Sequence, residues 1–264
     1  MYYYSIIIPV YNRPDEVDDL LYSLTRQAYK DFEVLVVEDG STKPCRDVVV
    51  RYEREMNVRY FVIPNGGPSG ARNYGAKESA GDYLLILDSD CVLPDTYLET
   101  IDRSLIQRPV DAFGGPDKSH ESFTPIQKAI SYSMTSFFTT GGIRGGKRKL
   151  DRFYPRSFNM GIRRDVFSSL NGFDTSMRYG EDVDFSMRIV KAGYQTMLIP
   201  EAYVYHKRRT SFPQFFRQVE HSGSARIILS KKYPGSMKLV HCLPALFVVG
   251  VVALLLLGIC CPLL

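Results

Sequence analysis

Apolar residues in the first part of the chain fall in short unbroken runs, separated by segments in which they recur every three or four positions. Ser5 to Val10 (SIIIPV) is β-branched and stops at the turn-prone Asn12-Arg13-Pro14, which predicts a strand. Asp15 to Ser23 follows with Val17, Leu20, Leu21 and Leu24 at helical spacing. Phe32 to Val37 (FEVLVV), Val58 to Ile63 and Tyr83 to Leu87 (YLLIL) predict three more strands. Strands apolar throughout and alternating with helical segments indicate a mainly parallel sheet covered on both faces, hence an α/β protein. Each run ends in a polar cluster: Glu38-Asp39-Gly40-Ser41, Asn65-Gly66-Gly67-Pro68-Ser69-Gly70 and Asp88-Ser89-Asp90. Ligands of such sheets bind at the carboxyl ends of the strands, where these clusters fall.

The pattern is different at the far end. From Leu243 to Leu264 there are 22 residues without a charged or strongly polar side chain, close to the ~20 needed to span a bilayer, which predicts a transmembrane segment that the native chain could continue beyond. Residues 201 to 242 carry Lys207, Arg208, Arg209, Arg217, Arg226, Lys231, Lys232 and Lys238 against Glu201 and Glu220. Eight basic against two acidic side chains make this stretch +6 and leave −2 for the first 200 residues of a chain whose total is +4. A basic collar beside an apolar span places that side in the cytoplasm and attracts anionic headgroups. The expected localisation is the cell inner membrane or its equivalent, with the soluble part cytoplasmic.

The composition changes less. At 45% hydrophobic and 23% charged the chain is too apolar for disorder, and +4 is too mild for a nucleic-acid binder, so no nucleic-acid partner is expected. Five cysteines without CxxC spacing suit a reducing compartment. The start, MYYYSIIIPVYN, has no basic n-region and is not read as a secretory signal. Thr139 to Arg156, glycine-rich and basic, is expected to be a mobile loop between two halves.

Asp88 and Asp90 leave a buried strand one residue apart. Such a pair needs a cation, and a hard divalent ion can bridge carboxylates to a diphosphate; the structural alternative is a capped turn before Pro94. The Asn65–Gly70 segment lacks the Gly-Lys-Ser/Thr of a phosphate loop and is not G-x-G-x-x-G, so kinase, P-loop and dinucleotide readings fail. After it, Arg72 lies at a helix start that brings a cation to the sheet edge. Glu181, Asp182 and Asp184 are three acids within four residues: they face a polar cleft, one of them suited to base catalysis, or they favour a helix N-terminus. His206 closes a strand-like segment and is either structural or part of a metal site.

Together the segments SIIIPVYNR, VVEDGS, NGGPSGARN, LILDSD, SFNMGIRR, GFD, GEDVDF and YHKRRTSFPQFFRQ resemble glycosyltransferase family 2, in its membrane-associated bacterial form, over residues 4 to about 230. The resemblance implies a GT-A fold, a Rossmann-like mixed sheet flanked by helices, and inverting transfer from a nucleotide-diphosphate sugar such as a UDP- or GDP-sugar. It implies that Pro9, Tyr11, Asn12, Arg13, Asp39 and Arg72 hold the base, ribose and phosphates. It also implies that Asp90, with Asp88 nearer the ribose or the metal waters, binds Mn2+ or Mg2+, reached by His206. Asp182 would be the catalytic base, supported by Glu181 and Asp184. Gln214-Phe215-Phe216-Arg217-Gln218 is similar to the Q-x-x-R-W signature of processive synthases but ends in Gln218, and the chain has no Trp, which argues against a processive polymerase.

The expected organisation is a catalytic domain over 1–230, a collar over 231–242 and a membrane segment over 243–264. The expected acceptor is a glycan or lipid-linked hydroxyl. Transfer to polyprenyl phosphate, a nucleotidyltransferase and a non-catalytic nucleotide-sugar-binding scaffold at the membrane are the alternatives.

Overall fold

Strand β1 (Tyr4–Val10) is buried on both faces because its alternate residues serve two cores. Ile6 and Ile8 join one cluster with Val34, Val36, Leu20 and Ile101, while Ile7 joins the other with Leu35, Leu84, Ile86, Phe185 and Ile189. A strand buried at nearly every position, on both faces of its period-2 alternation, leaves room only for the centre of a three-layer α/β structure. The computed structural model describes residues 1–135, 153–207, 211–237 and 241–260. The loop expected over Thr139 to Arg156 lies outside the described residues up to 152.

The other strands of the main sheet are β2 (Phe32–Asp39), β3 (Val58–Ile63), β4 (Tyr83–Leu87), β6 (Ala112–Gly114), β8 (Asn159–Arg163) and β9 (Thr196–Leu198). Their order is β3-β2-β1-β4-β8-β6-β9. The first four are parallel, whereas β8 runs antiparallel to both β4 and β6, so the sheet is mixed. A second sheet, in the order β5-β10-β7, is built from β5 (Cys91–Val92), β7 (Asp117–Lys118) and β10 (Val204–His206). Strands this short leave no periodic trace in a sequence.

Around the sheets lie α1 (Pro14–Thr25), α2 (Arg46–Val50), α3 (Pro68–Glu78), α4 (Tyr97–Gln107), α5 (Pro125–Thr135), α6 (Arg164–Ser169) and α7 (Glu181–Lys191). α1 buries Val17, Leu20, Leu21 and Leu24, the stripe its spacing predicts. α3 approaches β1 so closely that a Cβ on Gly75 would lie 2.6 Å from Ile7, which fixes where Arg72, one turn earlier, meets the sheet edge. α8 (Phe212–Lys232) and α9 (Leu243–Cys260) complete the chain.

The expected membrane span finds no support among the described residues. Among the described residues no helix is long and apolar enough to cross a membrane. α9 is apolar and exposes Leu246, Phe247, Val249 and Leu254, and its 18 residues rise about 27 Å at ~1.5 Å per residue. Residues 261–264 of the expected span lie outside the described residues.

Candidate active site

The carboxyl ends of β1, β2 and β4 gather the polar clusters. β4 delivers Asp88 and Asp90 to this edge, and the antiparallel pairing of β10 with β5 sets His206 opposite Cys91. The His206 Nε2 therefore lies 3.0 Å from Asp90 Oδ1, and its ring stacks on Phe158 at 5.3 Å. On its other oxygen Asp90 accepts a hydrogen bond from Arg13 at 2.7 Å. Burial works against the charge on Arg13, but Asp90 and Glu16 outweigh it and raise its pKa.

Asp90, Cys91 and His206 offer one ligand atom each within 4.8 Å of one another. A carboxylate oxygen with an imidazole nitrogen suits an ion of intermediate hardness, so this donor set fits Mn2+ better than Mg2+, which prefers oxygen alone. The Cys91 thiol donates to the Phe158 carbonyl at 3.5 Å and is buried.

Arg72 joins the two halves. Its guanidinium, buried to 3% exposure, donates to Asp88 at 2.9 Å, to Glu181 at 2.8 Å and to the Ser157 hydroxyl at 3.1 Å, and lies over the Phe173 ring. Desolvation disfavours its charge, and the carboxylates of Asp88 and Glu181 more than restore it. The neighbouring Asn73 fastens the same two regions, donating to the Phe173 carbonyl and accepting from the Phe173 N–H, each at 2.8 Å.

Glu181, Asp182 and Asp184 occupy the first turn of α7, where exposed N–H groups favour acids. Each has a different task. Glu181 meets Arg72. Asp182 accepts its own helix N–H from Val183 on one oxygen and a hydrogen bond from Arg156 Nε, at 2.7 Å, on the other. Burial opposes ionisation of Asp182, yet the charge and hydrogen bond of Arg156, with Arg72 behind it, hold its carboxyl below the ordinary value. Asp184 is fully buried and binds Arg188, Lys232 and the Tyr233 hydroxyl, the last two at the end of α8. Gly180, at φ +77°, precedes this turn, and a Cβ there would lie 2.9 Å from Ala225 of α8.

The sequence-named residues thus divide. Arg13, Arg72, Asp88, Asp90, Glu181, Asp182 and His206 share one edge of the molecule, linked by the pairs above. Tyr11 is half exposed beside them, and Pro9 is partly buried within β1. Asn12 and Asp39 are engaged locally. Asn12, at φ +56°, accepts the N–H groups of Thr42 and Lys43, and Asp39 accepts those of Gly66 and Gly67 together with the Asn65 amide. The residues that sequence reasoning missed are Arg156, Ser157 and Arg226. Arg156 ends a basic stretch without a motif, and Arg226 was visible only as part of the collar charge. Two clefts of about 350 and about 770 Å3 lie elsewhere, beside α2 and β3 and at the amino end of β4, and contain none of these side chains.

The chain belongs to glycosyl transferase family 2: the family's model matches residues 5–170. Among curated relatives, an uncharacterized glycosyltransferase of Haemophilus influenzae is 32% identical over 71% of this chain and 62% of its own length. Glycosyltransferase AglE of Haloferax volcanii is 28% identical over 72% of this chain and 62% of its own. The chain spans less than two thirds of these relatives, and only 22% of a Rickettsia felis glycosyltransferase with which it is 41% identical over 141 residues. The fold is shared with solved GT-A structures. The mannosyltransferase PcManGT from Pyrobaculum calidifontis, in complex with GDP-Man and Mn2+, superposes with a TM-score of 0.66 at 18% identity, covering 92% of this chain and 67% of that one. S. aureus TarS 1-349 in complex with UDP-GlcNAc gives 0.63 at 20% identity, covering 90% of this chain and 69% of that one.

Proposed function

We propose that this chain is a metal-dependent inverting glycosyltransferase that moves a sugar from a UDP- or GDP-sugar to a hydroxyl of a glycan or lipid-linked acceptor. The observation that carries the reading is the Arg72 bridge, which holds Asp88 on the donor side and Glu181 on the other, one residue from Asp182. Structures of the same fold that were solved with UDP-GlcNAc or with GDP-Man and Mn2+ support a nucleotide-sugar donor.

In this reading Asp182 takes the proton from the acceptor hydroxyl as its oxygen bonds to the anomeric carbon. The bond from that carbon to the diphosphate breaks on the opposite face, its electron pair leaves with the nucleoside diphosphate, and the configuration inverts. Arg13 and Arg72 are placed to offset charge on the departing phosphate. Asp90 and His206, with Asp88 alongside, would hold a divalent ion, which supplies positive charge at the diphosphate when bound. Tyr11, open at the same edge, is available to the base or ribose. Domains over 1–230, 231–242 and 243–264 and placement at the inner face of a membrane belong to the same proposal, supported by the basic collar and the exposed apolar surface of α9.

A donor screen with Mn2+ or Mg2+, scored by nucleoside diphosphate release, tests the reading. Asp182→Asn should abolish acceptor-dependent release while Asp90→Ala removes metal-dependent nucleotide binding. Near-wild-type transfer by Asp182→Asn would overturn the base assignment and favour polyprenyl phosphate, an anion that needs no base, as nucleophile. Pyrophosphate release would identify a nucleotidyltransferase, and binding without turnover a scaffold.

A further inference from the structure

We infer that Arg156 and Arg226 form an acceptor subsite for a phosphate group carried on a lipid, and that this phosphate draws Arg156 away from Asp182. The inference rests on the reading of Asp182 as the base. As the structure stands, that base is engaged: one carboxylate oxygen accepts the Val183 N–H and the other accepts Arg156 Nε at 2.7 Å. Each oxygen keeps a second lone pair, but the charge and hydrogen bond of Arg156 weaken the carboxylate as a base, and a guanidinium yields most readily to an anion that offers it two oxygens.

Arg226 supplies the second cation. Ala225 and Leu229 pack against Gly180, so the turn of α8 that carries Arg226 lies over the residue preceding Glu181 and Asp182. Among the described residues no carboxylate is in ion-pair contact with Arg226, which is only partly exposed. Burial first, then the positive charge of Arg156, lowers its proton affinity, with Asp182 acting in the opposite sense. The balance of charge differs across the site. Arg72 alone faces two carboxylates, Asp88 and Glu181, whereas of Arg156 and Arg226 only Arg156 is in ion-pair contact with one, Asp182. The excess positive charge on the acceptor side is matched by a phosphate.

The lipid is argued from the same helix. Phe212, Phe216, Val219 and Ile227 recur at helical spacing along α8 and are all more than half exposed, and Val219, two turns before Arg226, shares its face of the helix. A phosphate held by Arg226 would therefore have an apolar strip beside it for a hydrocarbon chain. The arrangement also protects the donor. Until an acceptor phosphate arrives, Arg156 keeps Asp182 a weaker base toward water.

The test uses the full chain in detergent with nucleoside diphosphate and Mn2+ bound, titrated with farnesyl phosphate, farnesol and glycerol 3-phosphate. Farnesyl phosphate should bind at least about tenfold more tightly than either of the others, and Arg226→Gln and Arg156→Gln should each weaken it about tenfold. Arg156→Gln should also raise donor hydrolysis into water several-fold, because Asp182 is released; a merely structural role for Arg156 would leave that rate unchanged or lower it. Equal binding of farnesol, equal binding of glycerol 3-phosphate, or unaltered affinity in Arg226→Gln would each overturn the proposal. A chain that binds nucleotide but ignores farnesyl phosphate loses this inference and keeps the glycosyltransferase reading. One that binds no nucleotide loses that reading itself.

Discussion

Asp39 and Asp182 are both acids singled out by the sequence at the sheet's carboxyl edge, and the structure treats them oppositely. Asp39 is saturated by its own surroundings: two backbone N–H groups and an amide from Asn65 to Gly67, all on the loop that follows the next strand. Asp182 is held by a guanidinium from a distant segment, at 2.7 Å. An acid satisfied by backbone shapes a loop, since releasing it leaves N–H groups stranded. An acid satisfied by a mobile-ended side chain can exchange that partner for a substrate. Arg72 stands between the two cases, buried like Asp39 but paired across the chain like Asp182.

Breaking the cross-chain pairing should have the largest effect on activity. Asp182→Asn should lower the rate of transfer by about 10²–10⁴-fold, the usual contribution of a general base, with melting temperature little changed, as measured by nucleoside diphosphate release. Arg72→Met should be the most destabilising change, costing about 3–5 kcal/mol in denaturant unfolding because Asp88 and Glu181 lose their shared cation where water is largely excluded. Asp39→Ala strands the N–H groups of Gly66 and Gly67 and should cost about 1–3 kcal/mol, with a smaller loss of rate than Asp182→Asn. If the Asp39 variant lost as much activity as the Asp182 variant at equal stability, the contrast between the two acids would fail.

Acid should act next, through the end of α8. Ser176 and Lys232 hold Asp174 down at about 2, and Asp184 is also depressed: burial raises it, but Lys232, Tyr233 and Arg188 prevail. Both carboxyls are below their unfolded values, so their stabilisation is complete above about pH 4 and is lost as pH falls toward 2. Lys232→Met should flatten this part of the stability profile, measured by urea unfolding between pH 2 and 5. The smallest effect is expected at Arg103→Ala, whose exposed partner Glu99 is one helical turn away; it should stay within about 0.5 kcal/mol.

Much of this was legible in the sequence where a pattern had to repeat. β4 reads directly because every position is apolar, β3 because only Arg59 interrupts its apolar run, and α1 because its stripe has a helical period. The Glu181–Asp184 acids stood out because charge density at a helix start is a local property. What escaped depended on contacts between distant segments. Nothing near Asp39 in the sequence shows that the loop at Gly66 will consume its oxygens, and no motif marks Arg156 as the partner of Asp182. The three-residue strand ending at His206 is too short to carry a period, although it is what brings the imidazole to Asp90. The apolar tail is a different case: composition reports its hydrophobicity, while only 243–260 of the expected span lie among the described residues.

The clamp of Lys232 and Tyr233 on Asp184 also acts as a leash. Tyr233 is fixed to the turn that holds Asp182, and Leu243, where α9 begins, lies ten residues further along the chain. Even fully stretched, ten residues reach no more than about 36 Å. On the proposed reading, in which α9 rests on a surface and Asp182 is the base, Asp182 works within that radius plus one helical turn, and an acceptor has to present itself close to that surface and not far out in solution.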